Sequence, residues 1–314
     1  MSSILSTVLP VFGLIAIGFI SAKTNFIAAS AGRGLSQYVF NLALPALLFR
    51  SMVVIEPQTA PPWELWFAYF GALALLWIVA APLVRMNKAL AQYGGASALM
   101  TAAFGNLVML GFPMSQAHFG DAATLPVSLI ISIHAPVLWL AATIHLETAR
   151  HGKLSPVPLL HQLGLELLKN PIVLALLAGS LWRLTNAGLH PVADKLLDLL
   201  GDAGVPTALI ALGLTLATYN LKGHGNGIAL LIALKMLVLP ILVWLMVTYV
   251  VALPPLWTKV AVLLAAMPAG ANAYLFAQRY DSATAASSGA IAIGTAIALF
   301  TSAVLLWLMD AGLI

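Results

Sequence analysis

Two short stretches combine glycine, proline and asparagine inside otherwise apolar sequence: Ala102-Ala-Phe-Gly-Asn-Leu-Val-Met-Leu-Gly-Phe-Pro113 and Ala265-Ala-Met-Pro-Ala-Gly-Ala-Asn-Ala-Tyr274. Proline removes a backbone donor and clashes with the preceding turn, and glycine lets the chain unwind without a side-chain penalty. A helix interrupted in this way presents free N–H and C=O groups. In hydrocarbon these are costly unless they line a polar cavity or meet a ligand. The N-termini of the resulting half-helices carry partial positive charge and open amides, which together attract carboxylates. Asn106 and Asn272 add side-chain amides and are the first candidates for substrate contact. Gly105, Gly111, Pro113, Pro268 and Gly270 are the candidates for the interruption itself. The plainer alternative is a pair of proline kinks whose asparagines bond neighbouring helices. Two such stretches in corresponding places favour a site.

Other polar residues stand in apolar surroundings. Asn41, four residues before Pro45, either faces the same cavity or bonds a neighbouring helix. Lys235 lies within Leu230-Leu-Ile-Ala-Leu-Lys-Met-Leu-Val-Leu-Pro240. A midplane lysine costs about 2.5–3.5 kcal/mol to insert, so it must face protein or water. It offsets substrate charge, responds to protonation, bonds the carbonyls freed by Pro240, or snorkels to an interface. His134, within Ile130-Ile-Ser-Ile-His-Ala-Pro136, is a candidate for proton coupling; the alternative is a hydrogen bond to a neighbour. Tyr274 and Gln278, in and just beyond the second stretch, join the substrate-contacting candidates. No nucleophile–base–acid set, metal-ligand cluster or phosphate loop is recognisable, so no enzyme activity, catalytic residue, metal or cofactor is expected. Neither stretch holds a carboxylate, which disfavours a sodium site, although amide and backbone oxygens remain as ligands.

These residues need a frame that tolerates 61% hydrophobic and only 8% charged residues. Soluble domains are about 25% charged. The bilayer is therefore the fitting solvent, and it admits only helices and closed barrels. Apolar runs of roughly 20 residues without strand-like alternation point to an all-α integral membrane protein. Ten spans are predicted near 3–22, 34–54, 63–84, 95–119, 123–146, 166–184, 203–219, 227–252, 257–279 and 284–309. The fourth and ninth hold the two stretches above and are expected to be broken. The polar connection 147–165, with Leu159, Leu160, Leu163, Leu165, Leu167 and Leu168 nearby, is compatible with a short interfacial helix. Trp63, Trp66, Trp182 and Trp257 fit interfacial belts. Residues 1–9 carry no Lys or Arg, so the first run is not expected to be a signal peptide. The net charge of +4 comes without a basic cluster, which argues against nucleic acid as a partner. The absence of cysteine excludes disulfide and thiolate chemistry.

A fixed offset recurs between the halves. Pro10 and Pro171, Gly18 and Gly179, Asn25 and Asn186, and Pro45 and Pro206 are each 161 residues apart. This divides the chain into a first repeat (1–150, spans one to five), a connector (151–165) and a second repeat (166–314, spans six to ten). An odd number of spans per repeat inserts the second half in the opposite sense, an arrangement suited to alternating access. With the N-terminus outside, the inner side holds Lys23, Arg33, Arg85, Lys88, Arg150, Lys153, Lys169, Lys222 and Arg279. The outer side holds Arg183, Lys195, Lys259 and Arg50. The excess of inner positive charge predicts both termini outside and a cytoplasmic connector.

The ordered pieces resemble the auxin efflux carrier family, which includes plant PIN carriers and bacterial malonate-type transporters. They are Leu9-Pro10 to Gly18, Asn41-Leu-Ala-Leu-Pro45 to Phe49, Gly105-Asn106 to Pro113, Lys235 before Pro240, and Asn272-Ala-Tyr-Leu-Phe-Ala-Gln278-Arg-Tyr280. The resemblance covers essentially the whole chain. It implies two inverted five-helix repeats with crossed broken helices, the architecture of the sodium/bile-acid symporters and NhaA. It implies a scaffold of spans one, two, six and seven, a transport part of spans three to five and eight to ten, and elevator-type movement. It also implies a homodimer in a bacterial inner membrane and small organic anions such as malonate or malate as substrates. The long hydrophilic loop of many plant members is missing, so auxin is not the expected cargo. The competing expectation is a sodium- or proton-coupled ion exchanger or symporter of the same inverted-repeat class.

Overall fold

A computed structural model describes residues 2–54, 62–151, 161, 164–165, 167–219 and 225–314. Among these residues the regular structure is entirely helical. In chain order the helices are α1 (Ser2–Lys23), α2 (Ala31–Val54), α3 (Pro62–Met86), α4 (Ala96–Ala103), α5 (Phe112–Phe119) and α6 (Thr124–His151). They continue with α7 (Pro171–Leu184), α8 (Pro191–Leu216), α9 (Gly225–Val250), α10 (Pro255–Ala266), α11 (Ala271–Arg279) and α12 (Thr284–Asp310). Among the described residues seven stretches are long and apolar enough to cross a membrane; α7 and α10 are shorter apolar helices. One of the seven, Leu107–Arg150, takes in α5, a 3₁₀ turn at Gly120–Ala123 and α6. Most of the connector lies outside the described residues, and with it the interfacial helix expected there.

The chain divides into two compact units. The first draws on Met1–Pro61, Val108–Ser132 and Glu166–Thr218. In it α1 packs along α8 and α7 packs along α2. Both pairs are held closely by glycine. A methyl group at Gly18 would run into the Ile210 carbonyl, and one at Gly213 into the Ile15 carbonyl. One at Gly179 would lie 2.7 Å from both Phe49 O and Met52 Cβ. Backbones brought this near gain dispersion contact that larger residues would prevent, the usual basis of helix association in lipid. α1 and α7 are each followed by a left-handed asparagine, Asn25 (φ 57°) and Asn186 (φ 54°), which lets the chain turn away after the last helical carbonyls. At one end Arg50 reaches from α2 to the Asp194 carboxylate on α8 (2.6 and 3.2 Å) and to Asp198 (3.2 Å).

The second unit draws on Pro62–Leu107, Ile133–Leu165 and Tyr219–Ile314. α4 and α10 each stop abruptly, at Ala103 and Ala266, and the chain resumes as helix at Leu107 and Ala271. α4 is also tied to α12 by a buried hydroxyl pair, Thr101 Oγ1 and Ser287 Oγ at 2.7 Å. Trp257 is only 3% exposed, so its place is in the packed interior of this unit and not in an interfacial belt. Trp63, 65% exposed, and Trp182, 45% exposed, do present their rings outward.

Four prolines, Pro45, Pro113, Pro240 and Pro268, act in one of two ways. π-helical turns occupy Val39–Ala43, Leu107–Gly111 and Leu234–Val238, each ending two residues before a proline: Pro45, Pro113 and Pro240. A wider turn relieves the clash between the proline ring and the preceding carbonyl and absorbs the missing donor. Pro113 therefore sits in continuing helix, as does Gly111, and the chain does not break at either of them. Pro268 lies in a true interruption.

Candidate functional site

The unwound segments 104–106 and 267–270 meet. Asn106 N donates to Pro268 O (2.8 Å) and Gly270 N donates to Phe104 O (2.9 Å), an isolated antiparallel bridge centred on Gly105 and Ala269. Two short extended pieces thus satisfy each other where a continuous helix would have satisfied itself, which is the accounting a buried backbone demands. Glycine is required at close quarters: a methyl at Gly270 would lie 2.9 Å from Gly105 O.

Side chains take up two further backbone groups at the interruptions. Gly105 N donates to His134 Nε2 (3.2 Å). His134 is 3% exposed, and its ring stands 4.7 Å from that of Phe104, with Tyr69 (6.0 Å) and Phe70 (6.3 Å) on other sides. Its Nε2 lone pair is thereby occupied, which places the proton of the neutral ring on Nδ1. Lys235 is 1% exposed, and its Nζ donates to Ala265 O (2.5 Å), a carbonyl in the last turn of α10. This differs from a bond to the carbonyls freed by Pro240: the lysine reaches across to another helix. A methyl at Gly105 would sit 3.4 Å from Lys235 Cε and Nζ, so the ammonium borders both interruptions.

The start of α11 leaves donors open. No side chain caps the N-terminus of α11, and the Ala271 and Asn272 amides have no protein acceptor among the described residues. Ala271 is exposed and Asn272 half-buried. The Asn106 side chain, 7% exposed, makes no hydrogen bond to the described residues. Further along α11, Gln278 Nε2 donates to Tyr274 Oη (2.8 Å), and the Tyr274 ring stands edge-on to Tyr219 at 5.1 Å.

The second unit therefore gathers Gly105, Asn106, Pro268, Gly270, Lys235 and His134 around one bridge, with Asn272, Tyr274 and Gln278 on the helix that leaves it. The two asparagines are not equivalent. Asn106 lies in the extended bridge, whereas Asn272 is in the first turn of α11. Asn41, Gly111 and Pro113 belong to the first unit; Asn41 is exposed, in the π turn before Pro45. The acceptor role of His134, the hydroxyl pair of Thr101 and Ser287, and the Tyr219–Tyr274 contact had no local signal in the sequence. Each joins residues more than 25 positions apart. Among the described residues no group of three or more His, Cys, Asp or Glu is arranged to hold a metal.

With all-helical structure and seven membrane-length apolar stretches among its described residues, and two interrupted helices joined through their backbones, the chain is a multi-span membrane protein of transporter type. It belongs to the auxin efflux carrier family: the family model described as "Membrane transport protein" matches residues 3–306. The chain is 28% identical over 316 residues to the "Putative malonate transporter" of Rhizobium meliloti (strain 1021), covering 99% of this chain and 98% of that one. It is 22% identical over 359 residues to "Auxin efflux carrier component 8" of Arabidopsis thaliana, covering 98% and 97%. It is 28% identical over 253 residues to the "Lysosomal cholesterol signaling protein" of Mus musculus, covering 74% of this chain and 28% of that longer protein.

Proposed function

We propose that this protein is a secondary transporter of small organic anions, mono- or dicarboxylates of the malonate and malate kind, working by elevator-type alternating access. The observation that carries this reading is the uncapped N-terminus of α11. Its amides at Ala271 and Asn272 have no protein acceptor among the described residues, and they lie beside a buried bridge held by Asn106 N to Pro268 O and Gly270 N to Phe104 O. Amides and a helix N-terminus select negative charge. Asn106 and Asn272 supply further amide groups, and Tyr274 and Gln278 line the outward course of α11. The name of the Rhizobium relative supports a dicarboxylate as the first substrate to try.

The proposed architecture is ten spans in two inverted repeats, with the scaffold of spans one, two, six and seven corresponding to α1, α2, α7 and α8. Two contacts support the repeat. Gly18 meets Ile210 and Gly179 meets Phe49, and a shift of 161 residues converts one contact into the other. The Gly18–Gly213 and Gly179–Met52 approaches are related in the same way. The proposed setting is a bacterial inner membrane, with both termini outside, in a homodimer.

The test is uptake of labelled malonate into proteoliposomes of purified protein, with malate, acetate and an indole acid as competitors. Saturable uptake that malate competes is expected. Absence of uptake and of any ligand-dependent thermal shift with all these acids would overturn the reading. Ion flux under imposed gradients without organic acid would favour an ion exchanger instead.

A further inference from the structure

α4 and α10 both end at the bridge with their C-termini, so their last carbonyls bring two partial negative charges to one buried place. Neither end carries a cation of its own; the residues after Ala103 and Ala266 are Phe104-Gly105 and Met267-Pro268. The cation comes from elsewhere, as Lys235 on α9, with Nζ on Ala265 O and its end against Gly105. We infer that Lys235 is a positioning residue, the shared C-terminal cap of both first half-helices, and not a ligand of the substrate. One buried ammonium offsets both helix ends, pins Ala265 and leaves the opposite, N-terminal ends of the interruption free for an anion. Burial at 1% exposure and a short bond to a carbonyl also explain how a lysine is tolerated inside an apolar span. The π turn Leu234–Val238, which precedes Pro240, carries Lys235 in the stretch of α9 that packs against α10.

The role rests on the transport reading for its kinetic readout, while amide hydrogen exchange reads it without any substrate. In Lys235→Met, exchange at 104–106 and 267–270 should rise at least tenfold, with exchange in α1 and α8 unchanged. Maximal uptake at matched membrane levels should fall at least tenfold. The KM values for a dicarboxylate and a monocarboxylate should each move less than about threefold. Unchanged exchange at the bridge overturns the inference. So does a KM increase confined to the dicarboxylate, which would make Lys235 a substrate ligand. If wild-type protein transports none of the acids tried, the exchange result still decides the role of Lys235 while the transport reading fails alone. Should Lys235→Met fail to accumulate, Lys235→Gln, which keeps a donor without the charge, takes its place in the same measurements. If both neutral variants fail while Lys235→Arg accumulates, the charge is the required feature and the inference stands. Failure of Lys235→Arg as well overturns it.

Discussion

Gly18 lies so close to the Ile210 backbone carbonyl that even a methyl group has no room between the two helices that carry them. Gly179, 161 positions after Gly18, stands in the corresponding relation to Phe49, 161 positions before Ile210. Two contacts made by residues at one sequence offset support the proposed repeat through packing, where composition alone leaves chance matches among common residues. Each of these glycines lets its helix lie directly on another, α1 on α8 and α7 on α2.

This gives a stability prediction with an internal control. Gly18→Ala and Gly179→Ala force backbones apart and should each cost about 1–3 kcal/mol, the usual range for overpacking. Gly13, on the same helix as Gly18, has nothing within 4 Å of an added methyl, so Gly13→Ala should be neutral or slightly stabilising. Thermal unfolding in detergent reads all three. Equal melting temperatures for Gly13→Ala and Gly18→Ala would show that the close approach is not limiting.

The interruption separates two prolines that look alike in sequence. Pro113 follows a π turn and continues a helix, so Pro113→Ala should leave uptake within about threefold of wild type. Gly105→Ala adds a methyl 2.8 Å from Leu107 Cδ2 and 3.4 Å from the Lys235 ammonium, at the centre of the bridge. It should reduce uptake about tenfold, because the methyl is admitted only if the end of the Leu107 side chain shifts beside Lys235 at the bridge. The two variants are compared at equal membrane abundance, and a reversed order of effects would move the interruption to Pro113.

Composition is enough to assign the membrane class, and the glycine–proline–asparagine clusters are enough to locate the two interruptions to within a turn or two. What they do not reveal is which residues unwind. In the first stretch Gly105, Gly111 and Pro113 all read as breakers. The choice is made by a partner far along the chain: Pro268 O and Gly270 N offer antiparallel bonds to Asn106 N and Phe104 O, and only there does leaving the helix cost little. For the same reason Lys235 was legible as a buried charge with a partner, while the partner itself was not. A carbonyl such as that of Ala265 has no signature in residue type. Trp257 was misplaced because a tryptophan near a span end reads the same whether lipid headgroups or packed helices receive it; here it is packed.

Asn106 and Asn272 should both contribute to affinity despite their distinct settings. Each amide hydrogen bond to a carboxylate contributes about 1.5–3 kcal/mol, so losing one should raise KM or Kd roughly 10- to 100-fold. Asn272→Ala removes a side chain from the first turn of α11 but leaves the Ala271 and Asn272 backbone amides in place, and should lose affinity while the protein stays folded. Asn106→Ala keeps its backbone bond to Pro268 O and should behave similarly. Uptake kinetics and ligand-dependent thermal shift measure both. Wild-type affinity in both variants would remove the asparagines from the site.

His134 offers a last test, because its Nε2 has one visible task, accepting the Gly105 amide at 3.2 Å. Protonating that nitrogen would remove the acceptor and leave a buried N–H unpaired at the bridge, at a cost of about 1–3 kcal/mol. Glutamine can accept through its side-chain oxygen but cannot carry a proton near neutral pH. If the acceptor is what matters, His134→Gln should keep uptake within about threefold and keep whatever response wild type shows to an imposed pH gradient. His134→Ala, which leaves both an unpaired amide and a cavity beside Phe104 and Tyr69, should lose at least tenfold and melt earlier. A His134→Gln protein that still moves substrate but no longer responds to the gradient would instead make this histidine the carrier of the coupling proton. The hydrogen bond to Gly105 would then be the link through which its titration reaches the interruption.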